Sequence, residues 1–431
     1  MSERGVIRRR PSTVVTAVVL AVLCLSFDAR AQDILVPMDS RQTDHLKAYG
    51  VAFWVLERGQ DVDWLLNYRG GSFLTASFPD LERELTIRNV YFEKVGGSET
   101  NVILAQIADD SSNMDVVRLE KAPRIAVYAP DQTLPWDDAV LLALTYAEVP
   151  YSMIYDDEIL DGRLSEYDWL HLHHEDFTGQ LGKFYAMYRN QPWYQEQHRR
   201  AQEMARRHGF KKAAALKLRV AQTIRSYVFE GGFLFAMCSG TDTFDIALAA
   251  ADTDIVPTEL DGDPVDPDAL SRLDFSQTLA FENFRPSFNA LEYEHSDIDV
   301  TPPAALQNPL VDYFTLFEFS AKWDPVPTML TQNHVATVKG FMGQTTGFNR
   351  SLIKHNMVIL GESPGRDVVR YLHGAYGQGT LTFYSGHDPE DYKHLVGDPP
   401  TELSLHKNSP GYRLILNNIL FPAARKKKQK T

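Results

Sequence analysis

Cys238 stands in the run Ala236-Met237-Cys238-Ser239-Gly240, between an apolar stretch and residues with helical spacing. A thiol displayed on such a strand-to-helix turn lies beside a helix N-terminus, whose dipole favours the thiolate and whose amides can bind a developing oxyanion. Small residues at Ala236 and Gly240 let the turn fold tightly, and Ser239 and Gly240 would serve the oxyanion. A thiol nucleophile needs a base, and the base needs an orienting carboxylate. His387 follows an apolar run and Gly386 roughly 150 residues later, and Glu390 comes shortly after it. These residues predict a hydrolytic site with Cys238 as nucleophile, His387 as base and Glu390 as orienting group.

A second group competes for the same place. His171-Leu172-His173-His174-Glu175-Asp176 packs three imidazoles and two carboxylates into six residues. His173 or His174 with Glu175, Asp176 and His387 could hold a divalent ion. Without a metal, His173, His174 and Glu175 would instead complete the pocket, with His174 and Glu175 against the substrate. No other cofactor is implied: no phosphate-loop spacing surrounds Gly70-Gly71, and no metal-finger spacing of cysteines occurs.

The elements that must position these residues begin at Ala122-Pro123. Arg124 to Ala129 predicts a buried strand, Asp137 to Glu148 a helix, and Tyr151 to Tyr155 and Tyr167 to His173 two more strands. That order opens a parallel doubly wound sheet, which places ligands at strand C-termini, and His173 to Asp176 would sit on that rim. Residues 177–230 predict a solvated helical insertion carrying basic and aromatic side chains. Gly231 to Met237 predicts the strand that feeds Cys238, and Thr243 to Ala250 resumes helical spacing. Residues 252–336, rich in Asp, Pro and aromatics, predict loops with short strands. Val368 to Gly374 and Thr380 to Ser385 predict the last strands, and Gly411 to Phe421 a closing helix.

Composition narrows the setting. The 431 residues carry 43 basic and 57 acidic side chains, a net charge of −14, which argues against a nucleic-acid partner held by phosphate neutralisation. Arg8, Arg9 and Arg10, the apolar run Val14 to Leu25 and Ala29-Arg30-Ala31 follow the plan of a secretory signal peptide. The run is too short for the roughly 20 residues of a membrane-spanning helix, so no stable membrane anchor is expected. Cleavage after Ala31 would remove five basic and two acidic residues and Cys24, leaving net −17 and Cys238 as the single cysteine. The predicted organisation is a signal peptide over 1–31, an N-terminal α+β region over 33–121, an α/β domain over 122–422 and a basic tail over 423–431. A periplasmic location follows.

The elbow at Cys238 and the segment Gly377-Gln378-Gly379-Thr380-Leu381-Thr382-Phe383-Tyr384-Ser385-Gly386-His387-Asp388-Pro389-Glu390 resemble the class I glutamine amidotransferase-like superfamily. The closing segment through Tyr412 to Asn418 is most similar to its trehalose-utilisation (ThuA-like) branch. The resemblance implies a flavodoxin-like, doubly wound and mostly parallel sheet, with an N-terminal extension and a helical insertion. It also implies an amide or carbohydrate-derived substrate. Trp64 to Gly71 and Leu170 to Gln180 further resemble exported bacterial proteins often labelled asparagine synthetase B. That activity fits poorly here: cleavage exposes Gln32 rather than a catalytic cysteine, and Ser239-Gly240-Thr241-Asp242-Thr243 lacks the second glycine of a pyrophosphate loop. Glutamine hydrolysis is disfavoured too, since Pro389 occupies the acid position of the His-x-Glu spacing. The competing reading is a non-catalytic module that binds saccharides or envelope material through the aromatic segments 281–293 and 313–323.

Overall fold

The computed structural model describes residues 32–131, 135–300, 308, 310–392 and 395–425. The signal-peptide reading over 1–31 and most of the basic tail lie outside them. No described helix is long and apolar enough to cross a membrane.

The N-terminal region builds an antiparallel sheet from β1 (Asp33–Val36), β2 (Val62–Leu66), β3 (Ser72–Ala76), β4 (Glu93–Val95) and β5 (Asp115–Leu119), in the order β4-β1-β3-β2-β5. Helix α1 (His45–Glu57) starts where the Asp44 side chain accepts from the Lys47 N–H, and it is buried along almost its whole length. Helices α2 (Pro79–Ile87) and α3 (Gly97–Ala108) complete this region.

The second sheet takes its central strands from β6 (Ile125–Tyr128), β7 (Ser152–Ile154), β8 (Trp169–Leu172) and β9 (Phe233–Met237). Between them run α4 (Ala139–Ala147), α5 (Pro192–Arg207) and α6 (Ala213–Phe229), and α7 (Ser239–Ala249) follows β9. Later strands are β10 (Tyr313–Leu316), β11 (Thr337–Lys339), β12 (Phe348–Asn349), β13 (Val358–Glu362), β14 (Val368–Tyr376) and β15 (Gly379–Tyr384), before the closing helix α8 (Pro410–Leu420). The order is β11-β10-β13-β14-β15-β9-β8-β6-β7, with β12 on β14. Pairings from β15 through β9, β8 and β6 to β7 are parallel, and those from β15 outward to β11 are antiparallel. The fold is α/β with a mixed sheet.

Strand alternation feeds two separate cores. Ile125, Val127, Trp169, Phe235 and Met237 face one buried cluster, while Ala126, Tyr128, Leu170, Leu172, Leu234 and Ala236 face the other. Helices α1, α4 and α8 pack on one another and contribute to the first cluster, which also takes in Trp64 and Phe73 of the N-terminal sheet. Helix α6 belongs to the second. Its Leu216, Val220, Ala221, Ile224 and Val228 are buried, at the spacing of one helix face. Burying each large aliphatic side chain contributes about 1.5–3 kcal/mol. Residues 213–229 are therefore the crossover between β8 and β9, a correction to the solvated insertion expected over 177–230.

Candidate functional site

Strand β9 ends at Met237, Cys238 follows it, and α7 begins at Ser239. Cys238 has φ +49° and ψ −140°, a backbone conformation that L side chains adopt at a cost of about 1–3 kcal/mol. Two neighbours enforce the turn. The Cys238 N–H donates to Gly386 O at 3.1 Å, and the Gly240 N–H donates to His173 O at 2.7 Å. Gly386 itself sits at φ +88° against Phe341. A Cβ on Gly240 would lie 2.8 Å from His173 O and 3.1 Å from His173 N, both backbone atoms with little room to yield. Gly240→Ala is accordingly expected to cost about 1–3 kcal/mol in denaturant unfolding by overpacking this contact. A midpoint unchanged from the parent would show that the helix start need not touch β8.

The turn delivers the sulfur into a ring of imidazoles. One candidate ligand atom from each of His173, His174, Cys238 and His387 lies within 4.8 Å of all the others. His173 and His174 follow β8 and His387 follows β15, so three neighbouring parallel strands meet at their C-terminal ends. The His173 and His174 rings stack at 4.0 Å between centroids, and the His387 ring lies 4.7 and 4.6 Å from them. Cys238 is 4% exposed, His173 1% and His387 0%.

The thiol is not acidified. The backbone N–H groups of Ser239 and Gln344 reach it and favour the thiolate, but burial outweighs them and pushes Cys238 up to about 12. The dipole argument from sequence expected the opposite direction. At neutral pH the thiol keeps its proton until something removes it.

The carboxylate that reaches His387 is Asp137. Its Oδ1 lies 3.2 Å from His387 Nε2, and its backbone carbonyl accepts from His174 Nε2–H at 2.6 Å. Glu390 does not take the role expected of it: its Oε2 accepts from Tyr392 Oη–H at 3.0 Å and pairs with His406 Nδ1 at 3.2 Å. Asp138, the next residue, caps α4 by accepting from the Val140 and Leu141 N–H groups. The same carboxylate meets His171 Nε2 at 3.4 Å and His173 Nδ1 at 3.2 Å. Burial works to raise the Asp138 pKa, yet His173 and His171 more than offset it and hold the carboxylate well below its ordinary range.

Glu175 and Asp176 are engaged away from the cluster. Glu175 Oε2 accepts from Tyr155 Oη–H at 3.2 Å and Lys217 Nζ at 3.4 Å. Lys217 also donates to Tyr128 Oη and Asp156 Oδ1, forming a buried charged group. Asp176 accepts from the Thr178 N–H and hydroxyl and the Gly182 N–H, and pairs with His295 at 3.3 Å. The metal set read from sequence thus loses both carboxylates to local structure, and Cys238 stands in their place. A cavity of about 490 Å³, lined by Tyr155, Asp156, His174, Glu175, Arg200 and Lys217 among others, meets the cluster at His174.

Sequence reasoning missed Asp137, Asp138 and Gln344. The first two had a usable signal, since they follow β6 and so share the rim on which His173 was placed. Gln344 had none, because it arrives on a loop from a distant part of the chain. In the aromatic segments 281–293 and 313–323, Phe281, Phe284, Phe314 and Phe319 are core, while Tyr313, Phe317 and Trp323 are exposed.

No protein-family model matches the chain, and no curated protein matches it. Among solved structures, it is similar to two cytoplasmic proteins of Salmonella typhimurium. For STM3548 the identity is 11% over 70% of this chain and 100% of that one, with a TM-score of 0.34. For STM1381 it is 12% over 70% and 99%, also at 0.34. Overlap of that degree transfers neither fold nor activity.

Proposed function

We propose that the protein is an exported hydrolase in which Cys238 is the nucleophile, His387 the base and Asp137 the group that orients it. The observation that carries this reading is the Cys238 elbow: a strained φ of +49° at a strand-to-helix turn, with the sulfur and a His387 nitrogen within 4.8 Å. With Nε2–H donating to Asp137, the neutral His387 ring has its lone pair on Nδ1. That nitrogen takes the thiol proton as sulfur attacks the substrate carbonyl carbon. The C–S bond forms, the carbonyl electrons move onto oxygen, and the Ser239 and Gln344 amides answer the charge. Collapse of the intermediate expels the leaving group, which takes its proton from His387. Water then cleaves the thioester by the same route in reverse.

An amide is the substrate class this chemistry suits best, and a carbohydrate-derived acyl compound is the second. The cavity touches the cluster at His174 and offers such a small molecule a place at its edge. The strand order β7-β6-β8-β9-β15 reads 2-1-3-4-5 in chain order, which supports a flavodoxin-like, amidotransferase-type core with its site at the strand C-termini. The export signal over 1–31 belongs to the same proposal and puts the activity in the periplasm.

Iodoacetamide labelling of the chelator-treated protein tests the reading. Cys238 should be alkylated in the native state, at a rate that falls when His387 is replaced by glutamine. A thiol that reacts only after denaturation would leave a buried structural cysteine, and the saccharide-binding module would become the better account.

A further inference from the structure

From the same four side chains we infer a binding site for one borderline-soft divalent ion, zinc being the natural occupant, ligated by His173, His174, Cys238 and His387. The site itself stands without the hydrolase reading; only its consequence for catalysis rests on it.

The donor chemistry is specific. Three imidazoles and a thiolate suit zinc and its first-row neighbours, whereas magnesium and calcium require the oxygen ligands that Glu175 and Asp176 do not bring here. Each histidine is also held from behind. His173 Nδ1 faces Asp138 Oδ1 at 3.2 Å, His174 Nε2 faces Asp137 O at 2.6 Å, and His387 Nε2 faces Asp137 Oδ1 at 3.2 Å. Carboxylates and carbonyls on the outer nitrogen are how metal sites fix ring orientation and tautomer. Two adjacent residues, Asp137 and Asp138, do so for all three rings. Tetrahedral zinc sets such donors roughly 3.3–3.7 Å apart. The four atoms already lie within 4.8 Å, so side-chain rotations of about an ångström would close them on an ion.

Binding balances without a redox partner. The ion enters as M²⁺, the thiol releases one proton to solvent, and a metal–sulfur bond forms. The resulting net positive charge faces the Asp137 and Asp138 carboxylates. The ion takes the sulfur as thiolate, and while it is bound the sulfur lone pair is committed to it. Metal occupancy would therefore hold the proposed nucleophile latent.

The test uses the full mature chain, stripped with chelator and titrated with Co²⁺. One ion per chain should bind with tetrahedral visible absorption and a near-ultraviolet thiolate-to-cobalt band, and Zn²⁺ should bleach both. Cys238→Ser should abolish the near-ultraviolet band, and Asp138→Asn should weaken binding about 10- to 100-fold. Circular dichroism matching the parent shows that both variants fold. Absence of stoichiometric binding, or an unchanged spectrum in Cys238→Ser, overturns the site. Alkylation separates this inference from the hydrolase reading. If cobalt binds as described but the stripped thiol is inert, the hydrolase reading fails and the metal site stands. If the stripped thiol reacts and zinc gives no protection, the metal site fails and the hydrolase reading stands.

Discussion

Asp137→Asn is expected to slow alkylation of Cys238 in the metal-stripped protein by about 10²-fold, at the low end of what a positioned general base contributes. In the proposed mechanism the carboxylate does two things for His387. It accepts from Nε2–H at 3.2 Å, which leaves the lone pair on Nδ1, and its charge stabilises the imidazolium formed when the thiol proton arrives. Asparagine keeps the shape and loses the charge. It can also turn its NH₂ toward the ring, which would force the proton to Nδ1 and remove the base altogether. Asp138→Asn is the matched control, because Asp138 contacts His171 and His173. In the stripped protein it should change the alkylation rate far less than Asp137→Asn. Glu390→Gln should leave the rate near that of the parent, since Glu390 is occupied by His406 and Tyr392. Equal effects from all three would mean that the thiol responds to general loosening rather than to one oriented base.

That assignment shows where residue types and spacing were informative. The turn at Cys238 was legible because a tight strand-to-helix elbow needs small residues on both sides of its tip, and those are visible in the sequence. His387 was legible because it closely follows a strand of the same sheet. Glu390 was chosen for its nearness in the chain, yet a carboxylate that orients a base is a neighbour in space. Asp137 reaches His387 across about 250 residues because β6 and β15 belong to one parallel sheet. The rim argument that placed His173 applied equally to the Asp-Asp pair after β6.

Depth was the least legible quantity. A helix N-terminus lowers a thiol pKa and burial raises it, and which wins depends on what lies above the turn. Here the cover comes partly from the loop around Gln344, whose side chain donates to Gly182 O and Tyr293 O. No local pattern places that loop over Cys238. Helix α6 is a different kind of miss. Its apolar positions had full helical periodicity, but the dense basic residues just before it made the whole stretch read as solvated. Strand β10 is one of the short strands expected over 252–336, but its bounds were not legible because they depend on β11 and β13, which pair with it from further down the chain.

The same balance of burial against local partners yields a stability prediction at Asp242, in the first turn of α7. Its Oδ1 accepts from Thr345 Oγ1–H and the Thr243 N–H, both at 2.9 Å, while its buried Oδ2 has no hydrogen-bond partner among the described residues. Burial pushes its pKa up to about 7, with Asp299 adding to the rise and His295 and Thr345 opposing it. Between the ordinary carboxylate value and about 7 the folded chain holds a proton that the unfolded chain has lost. Stability contributed by this group is therefore complete at low pH and declines as pH rises through about 4 to 7, by up to about 4 kcal/mol. Asparagine mimics the protonated acid and does not titrate. Asp242→Asn should match the parent near pH 4 and exceed it at pH 8 by as much as that amount, with the difference in urea midpoints opening across this window. A parent-minus-variant difference that stays constant from pH 4 to 8 would show that Asp242 is ionised in the folded state throughout, with its charge met by His295 and the end of α7 rather than suppressed by burial.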